Sequence, residues 1–317
     1  NHKQDSYFGL RDYTIAHRSV YSNLMYSSLI GDTRSTFKTG VSFTHDFYDE
    51  LVISTSYSRT ENAFGGFFEY TFDNLDDFSL TAGLRLDTHN LLGTFLTPRF
   101  HLRYVPWRKG VVKVALGRGK RSANIFAENQ QLFASNRMIF IDDVGENIYG
   151  LSPEIAWNYG VSIMQQFNLF GKKGDVTLDY YQTNFVKQVV VDWENAQQIQ
   201  FYNLEGKSSA NSLQLEFNYS PAKEIDLRMA YKYFDVSTDY KIGNLQKPIQ
   251  PQNRFFANIS YTTLLLKNSA QWKFDLTFNA IGKQRLPGSS SSLAKYQRAK
   301  FSNPYQVMHG QITRVFS

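Results

Sequence analysis

The sequence predicts an all-β protein, an antiparallel transmembrane β-barrel, with short turns at one end of its strands and long loops at the other. Three observations carry this. The first is one-for-one alternation: Leu80, Ala82, Leu84 and Leu86 are apolar, while Thr81, Gly83, Arg85 and Asp87 between them are small, polar or charged. Trp272, Phe274, Leu276 and Phe278 alternate in the same way with Lys273, Asp275, Thr277 and Asn279. A period of two is the signature of a β-strand, and strands with one greasy and one charged face suit a sheet between hydrocarbon and water. The second is an aromatic content of 16%, from 20 Tyr and 26 Phe among others, in a chain whose mean hydropathy is only −0.40. A membrane barrel places such residues on its outer band and interfacial girdles, while lumen and loop residues dilute the average. The third is an alternation of connection lengths, which barrel topology requires and a soluble sandwich does not.

About thirteen segments have the length and pattern of a tilted membrane strand. They are Ser19–Ile30, Thr36–His45, Phe64–Phe72, Phe78–Thr88, Phe95–Val105, Val111–Lys120, Glu154–Phe167, Asp175–Lys187, Tyr202–Tyr219, Glu224–Phe234, Arg254–Leu264, Gln271–Ile281 and Gln306–Phe316. Most keep one parity throughout: Leu213, Leu215, Phe217 and Tyr219 oppose Gln214, Glu216 and Asn218. Leu51–Ser58 also alternates and is expected to prolong a hairpin beyond the membrane. Short turns are predicted at Gly31–Arg34, Asp73–Asp77, Pro106–Gly110, Asn168–Gly174, Ser220–Lys223 and Leu265–Ala270. The longer links, Arg121–Pro153, Gln188–Phe201, Asp235–Asn253 and Gly282–Tyr305, mark the extracellular side.

Other classes are disfavoured on specific grounds. No window approaches 18 consecutive apolar residues, so a transmembrane helix is excluded. Cysteine is absent, which removes disulfides and thiolate sites. The net charge of +6 is scattered among acids and accompanies no recognised motif, so nucleic acid is not an expected partner. A β-propeller needs a blade repeat, and none is visible. His45, His89, His101 and His309 lack zinc-motif spacing, and no nucleophile elbow, Walker loop or dinucleotide fingerprint occurs. Neither an enzyme nor a cofactor is expected. The chain begins Asn1-His2-Lys3-Gln4 without a signal peptide, and for an exported protein the start is expected to be missing or removed.

A more specific pattern lies in Gly83–Asn90, Gly93-Thr94 and Thr97–Pro106, then in Gly117–Asn129, Leu151–Glu154 with Trp157–Gly160, Asp179–Tyr181 with Val189–Asp192, and Phe201–Gly206. In this order the segments resemble the barrel of TonB-dependent outer-membrane receptors. The resemblance runs along most of the chain and implies one partial barrel domain over 1–317, from a class of roughly 22 strands that also carries a plug. Neither a plug nor a TonB box is recognisable here, and Gln311–Phe316 resembles a strand shortly before the family's closing one. The first and last predicted strands are therefore expected to present unpaired edges. The strand arithmetic closes with two further strands after these thirteen and about seven before them.

What the resemblance implies for function is import without chemistry. The whole protein would sit in the outer membrane of a Gram-negative bacterium and bind a scarce ligand such as a metal–siderophore complex, cobalamin or an oligosaccharide or peptide. It would pass that ligand inward with energy delivered by the TonB complex. Outer-membrane lipid, lipopolysaccharide and a surface lipoprotein are further expected partners, and a passive porin is the alternative. Polar parity assigns Arg85, Asp87, Arg99, Arg103, Glu216, Arg228, Lys273 and Asp275 to the lumen, where cross-strand pairing or plug contact is their favoured role. Phe126, Phe133, Phe140, Tyr149 and Trp193 lie in the long loops as candidate ligand contacts, with bracing of the loops as the plainer alternative. Gly83, Gly117 and Gly119 read as positions that relieve crowding or permit a bend.

Overall fold

The computed structural model describes residues 1–9, 11–265 and 270–316. Its strands in chain order are β1 (His2–Phe8), β2 (Arg11–Ile30), β3 (Asp32–Val52), β4 (Thr55–Asp73), β5 (Phe78–His89), β6 (Gly93–Tyr104), β7 (Gly110–Arg121), β8 (Met138–Ile141), β9 (Glu154–Leu169), β10 (Lys172–Lys187), β11 (Val189–Asp192), β12 (Gln198–Asn203), β13 (Ser208–Ala222), β14 (Ile225–Tyr240), β15 (Gly243–Gln246), β16 (Asn253–Thr262), β17 (Gln271–Ile281) and β18 (Tyr305–Val315). All but β8, β11 and β12 form one fifteen-stranded sheet, in which sequence neighbours pair antiparallel from β1 to β18. Every predicted strand has a counterpart. The segment Tyr202–Tyr219 divides, because its first residues end β12 and the chain breaks at Leu204–Lys207, where Gly206 adopts a φ of +131°.

Register confirms the sidedness read from parity. Leu102, Val114, Val161, Tyr180, Leu213 and Tyr233 lie directly opposite one another across six strands, an apolar row on one face. Leu84, Leu86 and Leu276 share that face and are 48%, 51% and 46% exposed, as expected of side chains that meet lipid instead of protein. The charged set from Arg85 to Asp275 projects from the opposite, concave face.

The predicted short turns gather at one end. Phe170 and Gly171 connect β9 to β10 with φ of 52° and 72°, the doubly positive pattern of a two-residue hairpin turn matched to strand twist. The turn predicted over Leu265–Ala270 lies largely outside the described residues. At the other end β2, β3 and β4 continue well past the membrane. The 21 residues of β3 span about 70 Å, or about 50 Å at a tilt of about 45°, against a hydrocarbon layer of about 30 Å. The extension includes Leu51–Ser58, as its alternation suggested.

The sheet is open. β1 pairs only with Arg11–His17 of β2, so Ser19–Ile30 hydrogen-bonds to β3 alone, and β18 hydrogen-bonds to β17 alone, among the described residues. β1 was not anticipated, since HKQDSYF carries no apolar alternation. It lies ahead of the first predicted strand, in the place of the last of the about seven that the arithmetic had put upstream of the thirteen. The chief core lies in the loops, not in the wall: Tyr13, Ile15 and Val52 of the hairpin tops pack with Ile125, Phe126, Leu132, Phe133, Ile199 and Phe201.

Candidate functional site

The concave wall is lined by charges that pair across and along strands. Arg85 holds Asp87, its same-face neighbour two residues on, with Nε at 2.8 Å from Oδ2, and Nη2 donates to Ser42 Oγ at 2.7 Å, two strands away. That reach crosses β4 at Gly65, where a Cβ would collide with both Arg85 and Asp87. Arg99 pairs with Glu69 in the same way by folding across Gly83. Arg228 pairs with Glu216 at 3.1 Å. Arg103, Lys273 and Asp275 also face inward but form no ion pair among the described residues. Relief of crowding explains Gly83 alone of the three glycines singled out: Gly117 has only an ordinary contact and Gly119 faces open space.

Above the membrane, the inward faces of β2, β3 and β4 carry a buried polar cluster that fastens the 122–153 loop. Glu50 is 1% exposed and accepts hydrogen bonds from Tyr13 OH at 2.9 Å and from Tyr149 OH. Arg59 reaches Glu50 at 3.3 Å and Glu61 at 2.7 Å, donates to Tyr149 OH at 2.8 Å and to Asn124 Oδ1, and stacks on the rings of Tyr48 and Tyr149. A carboxylate taken out of water persists only with such pairing. Burial, reinforced by the Glu50 charge, pushes the Tyr149 phenol well above its ordinary range and keeps it a neutral donor. Tyr149 is aimed there by a left-handed backbone, φ 51°, followed by Gly150 at 76°. Burial opposes ionisation of Glu61, but hydrogen bonds from His89, Arg59 and Ser122 outweigh it and bring its pKa to about 2.

The remaining loops join through a small sheet in which β12 pairs antiparallel with β11 and parallel with β8. They are also tied by charge. Arg285 grips Glu194 bidentately at 2.6 and 2.8 Å, Gly288 N–H donates to the same carboxylate at 2.8 Å, and Arg285 Nε donates to the carbonyl of Gln246. The tie unites three loops around side chains only 6% and 11% exposed.

Two clefts open beside this assembly and share Gln131, Leu132 and Trp193. The larger, about 470 Å³, is walled by Phe234, Val236, Thr238 and Tyr240 from the inner face of β14, and by Gln188, whose Oε1 has no hydrogen-bond partner among the described residues. The smaller, about 380 Å³, lies between Arg137, Tyr296 and Arg298.

The candidate aromatics separate accordingly. Phe126 and Phe133, each 2% exposed, pack against each other within the loop core and brace it, so as direct ligand contacts they are corrected: no ring surface is left to offer. Tyr149 belongs to the Glu50–Arg59 cluster. Phe140 is 41% exposed on β8, and Trp193 stands between the clefts. Of the histidines, His45 bonds Asn62 and His89 contacts Glu61. Sequence reasoning missed Glu50, Arg59, Arg137, Glu194, Arg285 and Arg298. One signal was available, since Gly282–Pro304 carries five basic residues and no acid.

An antiparallel sheet greasy on one face and charged on the other, with loops folded over the charged face, is the wall of a membrane barrel. The family model described as "TonB dependent receptor-like, beta-barrel" matches residues 1–309. This chain belongs to the TonB-dependent receptor family. Solved TonB-dependent receptors share the fold at low sequence identity. A mutant of the ferric enterobactin receptor PfeA of Pseudomonas aeruginosa, in complex with enterobactin, superposes with a TM-score of 0.67 at 13% identity over 94% of this chain and 46% of its own. The copper transporter OprC gives 0.68 at 12% identity, with coverages of 95% and 49%. P. aeruginosa FpvA bound to a heterologous pyoverdine gives 0.65 at 13%, with 95% and 43%. The chain thus spans about half the length of the receptors it matches. Among curated proteins none matches the sequence.

Proposed function

We propose that the complete protein is an outer-membrane receptor that captures a scarce ligand in the clefts around Trp193 and imports it to the periplasm with energy transduced by TonB. The observation that carries this is the inward fold of the loops. The larger cleft is built from residues of the long connections together with inward-facing residues of β10, β13 and β14, so a ligand seated there already lies over the lumen. Neighbours of the same fold are a ferric enterobactin receptor and a copper transporter by name, which favours metal or metal-chelate cargo. The inner wall transports by exposure of polar surface, not by chemistry: paired charges such as Arg85–Asp87 and Arg228–Glu216 keep it hydrated without a strong net field.

The test is uptake of radioiron complexed to catecholate and hydroxamate siderophores, and of radiolabelled cobalamin, by cells that carry the complete gene. Accumulation should require both TonB and a proton gradient. Undiminished accumulation after TonB deletion would sink the active-transport reading.

A further inference from the structure

The basic stretch Gly282–Pro304 brings positive charge to the loops without bringing acid. The nearby carboxylate Glu194 is already saturated by Arg285 and the Gly288 N–H. Arg137 and Arg298, which both line the smaller cleft, therefore have no carboxylate partner among the described residues. Arg137 is nonetheless held in place: Nη1 donates to the Trp193 carbonyl at 2.8 Å. Burial, then the nearby Arg298 charge, lowers the pKa of its guanidinium, which remains cationic. Two like charges converging on one cleft repel each other, and an anion between them relieves that repulsion.

The rest of the lining says what kind of anion. Trp193 is half-buried and lines the same cleft as the guanidinium, Tyr296 is 61% exposed, and Ile249 and Leu286 add apolar surface. About 380 Å³ is more than a lone phosphate fills. The cleft shares Gln131, Leu132 and Trp193 with the one that opens onto the inner face of β14, so it faces the lumen and not the lipid.

We infer that the smaller cleft is a recognition subsite for a small organic anion bearing an aromatic ring, with the charge between Arg137 and Arg298 and the ring against Trp193. This rests on the receptor reading and names the chemistry of its ligand. Guanidinium forks suit carboxylate, phosphate or phenolate oxygens, and aromatic faces add contact at little entropic cost.

The test uses the complete protein in detergent micelles, titrated by calorimetry with phenyl phosphate, inorganic phosphate and benzyl alcohol. Phenyl phosphate should bind at least about tenfold more tightly than either comparator, and R137Q and R298Q should each weaken it about tenfold or more. W193F should keep most of the affinity while removing the ligand-induced quench of tryptophan fluorescence. Arg298 is exposed, so R298Q tests the idea even if R137Q fails to fold. The inference is overturned if phenyl phosphate binds no better than benzyl alcohol or inorganic phosphate, or if R298Q leaves its affinity unchanged. Binding in micelles needs no TonB. Uptake that depends on TonB without anion binding therefore defeats this inference alone, and anion binding without such uptake defeats the transport reading alone.

Discussion

Replacing Arg285 by Met should unfasten three loops while leaving the barrel wall intact. In the native arrangement the Glu194 carboxylate, 6% exposed, takes two guanidinium bonds at 2.6 and 2.8 Å and one from Gly288 N–H. Arg285→Met leaves that charge with the Gly288 bond alone. Removal of one partner of a buried pair costs about 3–5 kcal/mol, and relaxation of a loop toward water favours the lower end. A cost of about 3 kcal/mol raises the open population of the loops roughly a hundredfold. The assay is limited trypsinolysis after Lys300, whose side chain is exposed but whose carbonyl is held by the Leu286 N–H at 2.8 Å, so that the backbone must come free of the stem before it can enter a protease cleft. Where closure is fast relative to cleavage, the rate reports the open fraction. Cleavage of the single variant should therefore accelerate by about two orders of magnitude, and the double variant Arg285→Met/Glu194→Leu should recover most of the resistance, because the stranded charge is gone. Equal trypsin sensitivity in wild type and Arg285→Met, or a double variant as fragile as the single one, refutes the reasoning.

Two further outcomes follow from the wall and its upper cluster. Leu84→Arg, on the lipid face, should cost about 2–4 kcal/mol of barrel stability in urea titrations from lipid bilayers, while Thr81→Arg, facing the lumen, should cost little; equal losses contradict the sidedness. Glu61 has a folded pKa lowered to about 2 from 4.5, so its stabilising contribution is present above the unfolded value and is lost as pH falls from about 4.5 to about 2. Hydrogen exchange at Ser122–Asn124 should hold its protection from neutral pH to about pH 5 and lose it through that lower window; protection lost already at pH 6 counts against Glu61 as the controlling group.

The wall was legible in the sequence because each strand states its own sidedness: Leu84 and Arg85 need no partner to declare opposite faces. The loops were not, for a matching reason. β8 and β12 are four and six residues long and pair across a large separation in the chain, so no local period marks them. Phe126 and Trp193 look alike as aromatic loop residues, and only the packing of distant segments makes one a brace and leaves the other beside a cleft. Glu50, Arg59, Glu194 and Arg285 escaped notice because their partners are remote: Arg59 with Tyr149, Glu194 with Arg285.

The unequal length of the strands has a directional consequence. β3 runs for 21 residues and β16 for 10, so the rim is a high parapet along β2–β4 and a low sill toward β16–β18. The loop core leans against the parapet, and the clefts beside Trp193 lie on the side of the sill. The rim is therefore lopsided: strands supply its height on the β2–β4 side, while on the β16–β18 side that height falls to the connections, chiefly the one between β17 and β18.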